Sequence, residues 1–183
     1  METSSTRHTI LQAACRLVGR EGVARLTLDA VALEAGLSKG GLRYHFPSKD
    51  SLITGMVEYL LQRFEQDLEQ ANSGEDSRPG AWLRAYIHAS CSTGHEDIDN
   101  AAGLLAAVAN NEAFLDPLRV QYAAWQEQAE HDGIPPARAT LIRLALDGLW
   151  FADLLGFAPP TGSLREQVIT ELLALTQKKG DEE

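Results

Sequence analysis

The sequence has few of the residues that supply redox or metal chemistry. It contains two cysteines, Cys15 and Cys91, and neither belongs to the closely spaced pairs that bind zinc or form redox centres. Cys15 falls on the apolar face of the first predicted helix, which favours a reduced, buried thiol. The run from His95 to Asp99 offers nitrogen and oxygen ligands, but an acidic first turn of a helix explains it more simply. We therefore predict no metal site.

Long apolar segments are absent as well. Asp147 and Asp153 interrupt the most apolar part of the chain, which falls far short of the roughly 20 apolar residues of a membrane-spanning helix. Residues 1–9 are polar and the segment after them is amphipathic, so no secretory signal is predicted. We therefore expect a cytoplasmic protein.

The chain also lacks the residue combinations of common active sites. No nucleophile with its base, carboxylate pair or metal cluster occurs at a spacing that would support catalysis. Residues 78–160 contain no glycine-rich phosphate loop, and their five arginines lie far apart in sequence. We predict neither enzymatic activity nor a cofactor.

Positive charge is scarce overall. The formal net charge of −10 argues against a nucleic-acid partner, but the charge is unevenly distributed. Residues 1–50 hold seven Lys and Arg against five Asp and Glu, whereas the other 133 residues hold nine against 21. Because the local field decides affinity for phosphates, the N-terminal part remains a candidate for contact with nucleic acid.

The most informative segment covers residues 27–46 and predicts two short helices joined by a tight turn. Thr27 is a good N-cap for the first helix, and Gly36 supplies the positive φ that ends it. Ser38 caps the second helix two residues later. That second helix is polar apart from one leucine and one phenylalanine, which is typical of the recognition helix of a helix-turn-helix.

Three pieces of sequence follow one another here at a fixed spacing. They are the helix over residues 27–35 with its Gly36-Leu37-Ser38 end, the Ser38-Lys39-Gly40 start followed by Tyr44-His45-Phe46, and the segment from Pro47 to Leu52. Together they resemble the DNA-binding domain of the TetR family of bacterial transcriptional regulators, over residues 5–65. Two positions depart from the family pattern, and both bear on the operator sequence. Gly41 stands where a small hydroxyl residue is common, and Arg43 stands where an aromatic residue is common.

The resemblance implies that the polar helix and its surroundings contact DNA. Lys49 and Tyr44 are expected to bind phosphates, whereas Arg43 has donors suited to a guanine base. The two glycines of the helix are expected to let its backbone approach the groove wall, since each costs helix stability of up to about 1 kcal/mol relative to alanine. The predicted contact residues are Thr27, Ser38, Lys39, Gly40, Gly41, Arg43, Tyr44, His45 and Lys49.

Helical periodicity continues along the rest of the chain, and no strand pattern occurs. We predict an all-α protein of about nine helices. An N-terminal DNA-binding domain of three helices, which includes the helix-turn-helix, is expected over residues 5–65. A C-terminal ligand-binding and dimerisation domain is expected over residues 66–178, followed by a disordered tail at 179–183.

Several local features of this second part carry their own expectations. A helix is predicted over residues 97–109, and Pro117 predicts a kink or a split near the start of the next helix. Ser163 and Glu166 have the spacing of a capping box for the last helix. Asp132 is interpreted as part of a solvated helix end.

The helix predicted from Pro136 to Phe157 is apolar on nearly every side. Such a helix is either the central helix of a core, or it packs on its own subunit with one face and on a partner with the other. The last predicted helix is similarly apolar, and the family resemblance favours a homodimer built from these two helices of each subunit. The expected interface residues are Leu149, Ala152, Leu155, Val168, Leu172 and Leu175.

Aromatic residues are frequent in the middle helices. Core packing explains most of them, but the resemblance implies that this region also encloses an effector pocket. The composition favours an apolar or aromatic small molecule over a phosphorylated one. The candidate pocket residues are Trp82, Tyr86, Phe114, Trp125 and Trp150.

These features predict a homodimeric transcriptional repressor that a small hydrophobic effector releases from a palindromic operator in double-stranded DNA. The alternative is a helical effector-binding or protein-interaction module that no longer binds DNA. The presence of Lys39, Tyr44 and Lys49 favours the first interpretation.

Overall fold

The computed structural model describes residues 2–72, 74, 76–92, 101, 104, 108 and 111–177. All regular structure within these residues is helical, which confirms the predicted all-α class. Residues 101, 104 and 108 are helical, whereas the rest of the helix predicted over 97–109, the His95–Asp99 run and the tail at 179–183 lie outside the described residues. The eight α-helices in the described part are α1 (Glu2–Glu21), α2 (Leu28–Glu34), α3 (Lys39–His45), α4 (Lys49–Ala71), α5 (Ala81–Ser92), α6 (Asp116–Glu130), α7 (Pro136–Leu155) and α8 (Gly162–Leu175). None of the helices in this described part is long and apolar enough to cross a membrane.

The chain divides into two compact units. The first consists of Met1–Gln62 with Gly94–Arg119, and the second of Arg63–Thr93 with Val120–Glu183. The division falls within α4, which contributes its first part to one unit and its second part to the other. The first unit therefore includes a segment from the middle of the chain in addition to the N-terminal helices.

The first unit has a continuous apolar core. Helices α2 and α3 have seven residues each, too few to be stable alone, so they depend on the side chains they bury in this core. Each fully buried leucine or isoleucine contributes about 1.5–3 kcal/mol relative to an exposed one. The core includes Ile10, Leu11, Leu17, Val18, Leu26, Val31, Leu42, Phe46, Leu52, Met56, Leu104, Val108 and Phe114.

The second unit is built from α5 to α8 and the end of α4. Helix α5 contacts both α7 and α8, and its Leu83 and Ile87 are fully buried. From α7, Ile142 and Leu146 point into the same core, and Trp125 of α6 is buried there too. This packing fixes the relative positions of the aromatic side chains within the unit.

Asp132 is not part of a solvated helix end, contrary to the sequence-based interpretation. Its carboxylate accepts hydrogen bonds from the backbone N–H groups of Trp82 at 3.0 Å and Leu83 at 2.9 Å, and it thereby caps the start of α5. Its backbone oxygen also accepts from the N–H of Gly80 at 2.6 Å. Burial raises the pKa of this carboxyl, partly offset by the two N–H donors. Asp132 therefore joins the end of α6 to the start of α5.

Two predictions about helix ends have different outcomes. The expected split near Pro117 is confirmed, because a 3₁₀ helix at Glu112–Leu115 precedes α6 and Pro117 lies in its first turn, where no N–H is needed. The prediction of a capping box at Ser163 is wrong. Helix α8 begins at Gly162 after Thr161, which makes no side-chain capping bond, so Ser163 already lies inside the helix.

Candidate DNA-binding surface and effector groove

The turn between α2 and α3 is held by local hydrogen bonds at both helix starts. The Thr27 hydroxyl accepts from the N–H of Ala30 at 3.1 Å, and the Ser38 hydroxyl accepts from the N–H of Gly41 at 3.1 Å. Gly36 has a φ of 68°, the left-handed conformation that reverses the chain after α2. The two helices therefore have the fixed geometry of a helix-turn-helix.

Helix α3 separates apolar from polar side chains completely. Leu42 and Phe46 are buried in the core of the first unit, while Tyr44 on the opposite side is 78 % exposed. The ring of His45 packs edge-on against Tyr44, with the ring centroids 5.1 Å apart. Of the nine predicted DNA-contact residues, His45 is half-buried and the other eight are exposed. The structure thus leaves eight of the nine predicted residues exposed to solvent.

The cations on this surface have different partners. Lys39 forms an ion pair with Asp29 of α2, with Nζ and Oδ2 2.7 Å apart. Arg43 forms no hydrogen bond or ion pair with any residue that the structure describes, so its guanidinium is available to a ligand. Lys49 is exposed in the first turn of α4, where reciprocal hydrogen bonds between Ser48 and Ser51 cap the helix.

The two glycines of α3 serve different purposes. A Cβ on Gly41 would lie 3.3 Å from the Ser38 hydroxyl that caps the helix, so a side chain there would require the cap to shift by a few tenths of an ångström. A Cβ on Gly40 would meet nothing within 4 Å. The free space around Gly40 is open to an external molecule, as expected for a backbone that approaches DNA.

Ion pairs fix α2 against α1. Glu34 accepts a hydrogen bond from Arg20 at 3.0 Å and lies 3.6 Å from the Nε atom of Arg16. The hydrogen bond from Arg20 holds the pKa of the Glu34 carboxyl below its ordinary value, with a smaller effect from Arg16. These contacts support the orientation of α2 and hence that of α3.

The second unit contains a groove that is relevant to the predicted effector pocket. It has a volume of about 320 Å³ and is lined by Glu65, Leu68, Trp82, Gln121, Ala124, Trp125 and Gln128. Trp82 and Trp125, two of the five predicted pocket residues, both line it. Tyr86 stacks on Trp82 with a centroid distance of 5.1 Å.

The other two predicted pocket residues are located elsewhere. Phe114 is buried in the core of the first unit and does not belong to the unit that contains the groove. Trp150 packs edge-on against its neighbour Phe151 on α7 and is absent from the groove lining. The structure therefore places only part of the predicted aromatic set at one site.

A buried polar network near the groove was not predicted from the sequence. The Tyr86 hydroxyl donates to Asp147 at 2.9 Å, and Arg143 donates to the other oxygen of the same carboxylate at 2.6 Å. Arg143 also donates to the Gln126 side chain at 2.7 Å. Burial raises the pKa values of Tyr86 and Asp147, and it raises the pKa of Tyr122 to about 12. The four-residue spacing of Arg143 and Asp147 was the one signal in the sequence, but it did not reveal burial.

Helix α7 exposes an apolar stripe, which consists of Leu141, Leu144, Phe151 and Leu155. Gly148 lies between these residues, and a Cβ added to it would meet nothing within 4 Å. Of the six predicted interface residues, Leu155 belongs to the stripe, and Leu172 is buried in its own unit at 6 % exposure. The remaining four, Leu149, Ala152, Val168 and Leu175, are half-buried.

A short polar helix that a capped turn holds over a buried core defines a helix-turn-helix DNA-binding protein. Comparison with protein families gives the particular family. Residues 10–56 match the family described as bacterial regulatory proteins, tetR family, and residues 80–177 match the tetracyclin repressor-like C-terminal domain. The chain belongs to the TetR family and is a DNA-binding transcriptional regulator.

Individual relatives are similar over nearly the whole chain. The HTH-type transcriptional regulator BetI of Brucella canis is 25 % identical over 92 % of this chain and 90 % of its own length. A TetR-family transcriptional regulator from Rhodococcus sp. has the same fold, with a TM-score of 0.74 and 20 % identity over 96 % of this chain and 100 % of that one. The multidrug binding protein EbrR, solved in complex with malachite green, has a TM-score of 0.63 and 25 % identity over 91 % of this chain and 96 % of that one.

Proposed function

We propose that the chain is a homodimeric repressor that leaves a palindromic operator when a small molecule binds its second unit. The observation that carries the DNA-binding part is the exposed polar face of α3 opposite the buried Leu42 and Phe46. A seven-residue helix anchored in this way can enter the major groove without losing its contacts to the core.

The contacts on the surface suggest that its residues bind different parts of the DNA. Arg43 has no partner among the described residues and is suited to bidentate donation to a guanine. Tyr44 and Lys49 are suited to phosphates, which carry no sequence information. Lys39 is held by Asp29, which we propose orients it toward the DNA backbone.

The homodimer is supported by the apolar stripe of α7. Leu141, Leu144, Phe151 and Leu155 are spaced three, seven and four residues apart, so they lie along one side of the helix. Exposed leucines in such a row usually mark a protein interface. We propose that the stripe packs against its copy in a second subunit, with Gly148 allowing close approach, and that Leu172 only supports the interface from within its own unit.

The groove of the second unit is the proposed effector site. Its volume of about 320 Å³ is within the usual range of small-molecule pockets, and two tryptophans line it. EbrR, which has been solved with malachite green bound, is similar over most of the chain. A ligand that prefers one conformation of α4 would shift the population away from the DNA-competent form by no more than its differential affinity.

Footprinting on the DNA that flanks the gene tests the proposal directly. Two protected half-sites spaced by one helical turn or a multiple of it are expected. Lys49→Ala and Tyr44→Phe should weaken binding to all DNA sequences alike. The lysine change should also lower the slope of log affinity against log salt concentration by about one. The matched control is Arg119→Ala, which removes an exposed cation outside the predicted contact set.

A complete absence of salt-dependent DNA binding would contradict the proposal. It would favour the second candidate, a helical effector-binding or protein-interaction module. We further propose that the protein acts in the cytoplasm, where bacterial DNA is found, and that it has no enzymatic activity.

A further inference from the structure

The groove of the second unit contains a carboxylate, Glu65, that pairs with no cation among the residues the structure describes. Glu65 Oε1 accepts hydrogen bonds from Trp125 Nε1 and Gln121 Nε2, each at 2.5 Å. Both donors are neutral, so they orient the carboxylate without neutralising its charge. Within the described part of the chain, no lysine or arginine forms an ion pair with Glu65, and its Oε2 atom accepts no hydrogen bond.

This carboxylate contrasts with three other carboxylates of the same unit, each of which is paired with arginine. Asp147 is paired with Arg143, Asp153 with Arg165, and Asp76 with two arginines. Glu65 is half-buried beside a groove, and a charge in that position is costly unless a counter-ion compensates it. Since the described residues supply no counter-ion, we expect a bound ligand to supply it.

The walls of the groove indicate what kind of cation this is. Two indole rings, Trp82 and Trp125, line it together with Leu68 and Ala124. Indoles are the best aromatic partners for cations, and the aliphatic side chains favour a ligand with an apolar body. A bare metal ion would find only one carboxylate and two amide side chains among these lining residues, with no further acidic or imidazole ligand.

We propose that the groove binds a monovalent organic cation with a flat or alkylated apolar body, its positive charge next to Glu65. This assignment rests on the proposed effector site and narrows its ligand class from apolar or aromatic molecules to cationic ones. A neutral aromatic molecule would fill the same volume but leave the carboxylate uncompensated. A phosphorylated or carboxylated molecule would be repelled by it.

The test compares two probes of the same shape, the cation N-methylquinolinium and its neutral isostere 1-methylnaphthalene. Titrations of the full-length protein, followed by calorimetry and tryptophan fluorescence, should show that the cation binds at least about tenfold more tightly, a difference of about 1.4 kcal/mol. Glu65→Gln keeps an oxygen that can accept from Trp125 and Gln121, so the fold should be retained. This variant should lose the tenfold preference while its affinity for the neutral probe is unchanged.

The matched control is Glu69→Gln, which removes an exposed carboxylate one turn further along α4. It should bind both probes as the wild type does. Equal affinities of the wild type for the two probes, failure to bind either, or a preference that survives in Glu65→Gln would overturn the assignment. The titration contains no DNA, so it tests the ligand class independently of the repressor proposal. A separate displacement experiment tests that proposal: if it is wrong, the cation binds the protein but does not release a bound DNA fragment.

Discussion

The surfaces of α3 and α7 distribute polar and apolar side chains in opposite ways. Helix α3 buries Leu42 and exposes Arg43 and Tyr44, which is the normal arrangement for a helix in water. Helix α7 buries Arg143 and leaves Leu141 66 % exposed. The α3 surface is polar and needs no protein partner to cover it, and it is suited to DNA, which is charged and hydrated. The second is suited to an apolar partner.

The two arrangements have different energetic consequences. An apolar core under a polar surface gains stability from burial alone. A buried ion pair must recover the cost of removing two charges from water, and it does so only with good geometry and additional hydrogen bonds. Arg143 meets this condition through Asp147 and Gln126, and Asp147 through Tyr86 as well. Helix α7 is therefore held by a polar network in addition to packing, whereas α3 is held by the packing of Leu42 and Phe46.

The largest expected effect comes from breaking that network on one side. Arg143→Met should destabilise the second unit by about 3–5 kcal/mol, because it leaves the Asp147 carboxylate buried without its cation. The measurement is urea unfolding followed by tryptophan fluorescence, since all three tryptophans lie in this unit. The triple variant Tyr86→Phe, Arg143→Met, Asp147→Leu removes both charges and the hydroxyl, and it should recover most of the loss. A single variant as stable as the wild type would show that the pair contributes nothing.

The next prediction concerns the exposed stripe. Leu141→Glu with Leu144→Glu should weaken self-association by at least about 100-fold, since each charge would have to be buried in the subunit interface. Both positions are exposed in the single chain, so helicity should be unchanged. Sedimentation velocity at micromolar concentration should give a dimer for the wild type and a monomer for the variant.

Val120 provides the matched control for this experiment. It is an apolar residue of α6 that is 73 % exposed and does not belong to the stripe. Val120→Glu should leave the dimer intact. A wild type that sediments as a folded monomer, or a control that dissociates equally, would contradict the role assigned to the α7 stripe.

On the α3 surface, a smaller and more selective effect is expected. Arg43→Ala should cost about 1–3 kcal/mol at one base pair per half-site and relax the preference there. Lys39→Ala should reduce affinity evenly across DNA sequences, because Lys39 is paired with Asp29 and is proposed to contact the DNA backbone, not a base. Competition binding against a library of half-site variants distinguishes the two. If Arg43→Ala has the same base preference as the wild type, this arginine either contacts only the DNA backbone or stays in solvent.

Sequence reasoning succeeded where the determining interactions are local. The caps at Thr27 and Ser38 and the turn at Gly36 act within three or four residues, so their residue types and spacing were sufficient. Asp132 was misread because the N–H groups it caps belong to a helix 49 and 50 residues earlier. Glu65 was missed for the same reason, since its partners Gln121 and Trp125 come from another helix.

Composition also failed to assign aromatic residues to the correct unit. Trp82 and Trp125 share the groove, whereas Phe114 is recruited to the first unit together with the segment that contains it. Helical periodicity shows that each side chain points inward, but it carries no information about which core it enters. Likewise, the four-residue spacing of Arg143 and Asp147 is common on exposed helices, and only the packing of neighbouring helices shows that the pair is buried.

The smallest expected effect is a pH dependence of the first unit. Arg20 and Arg16 hold the pKa of Glu34 below its ordinary value in the folded chain. A carboxyl group of this kind contributes stability above its unfolded pKa of about 4.3, and the contribution is lost as the pH falls through the lower folded pKa. The wild type should therefore lose more thermal stability between neutral pH and the acid side of this range than Glu34→Gln does. Because the group is partly exposed, the difference in Tm should be small, and high salt should reduce it further.

The control is Glu127→Gln, an exposed carboxylate of α6 with no ion pair among the described residues. If Glu34→Gln and Glu127→Gln lose stability in parallel on acidification, the contact between α1 and α2 owes nothing to this charge and rests on packing alone.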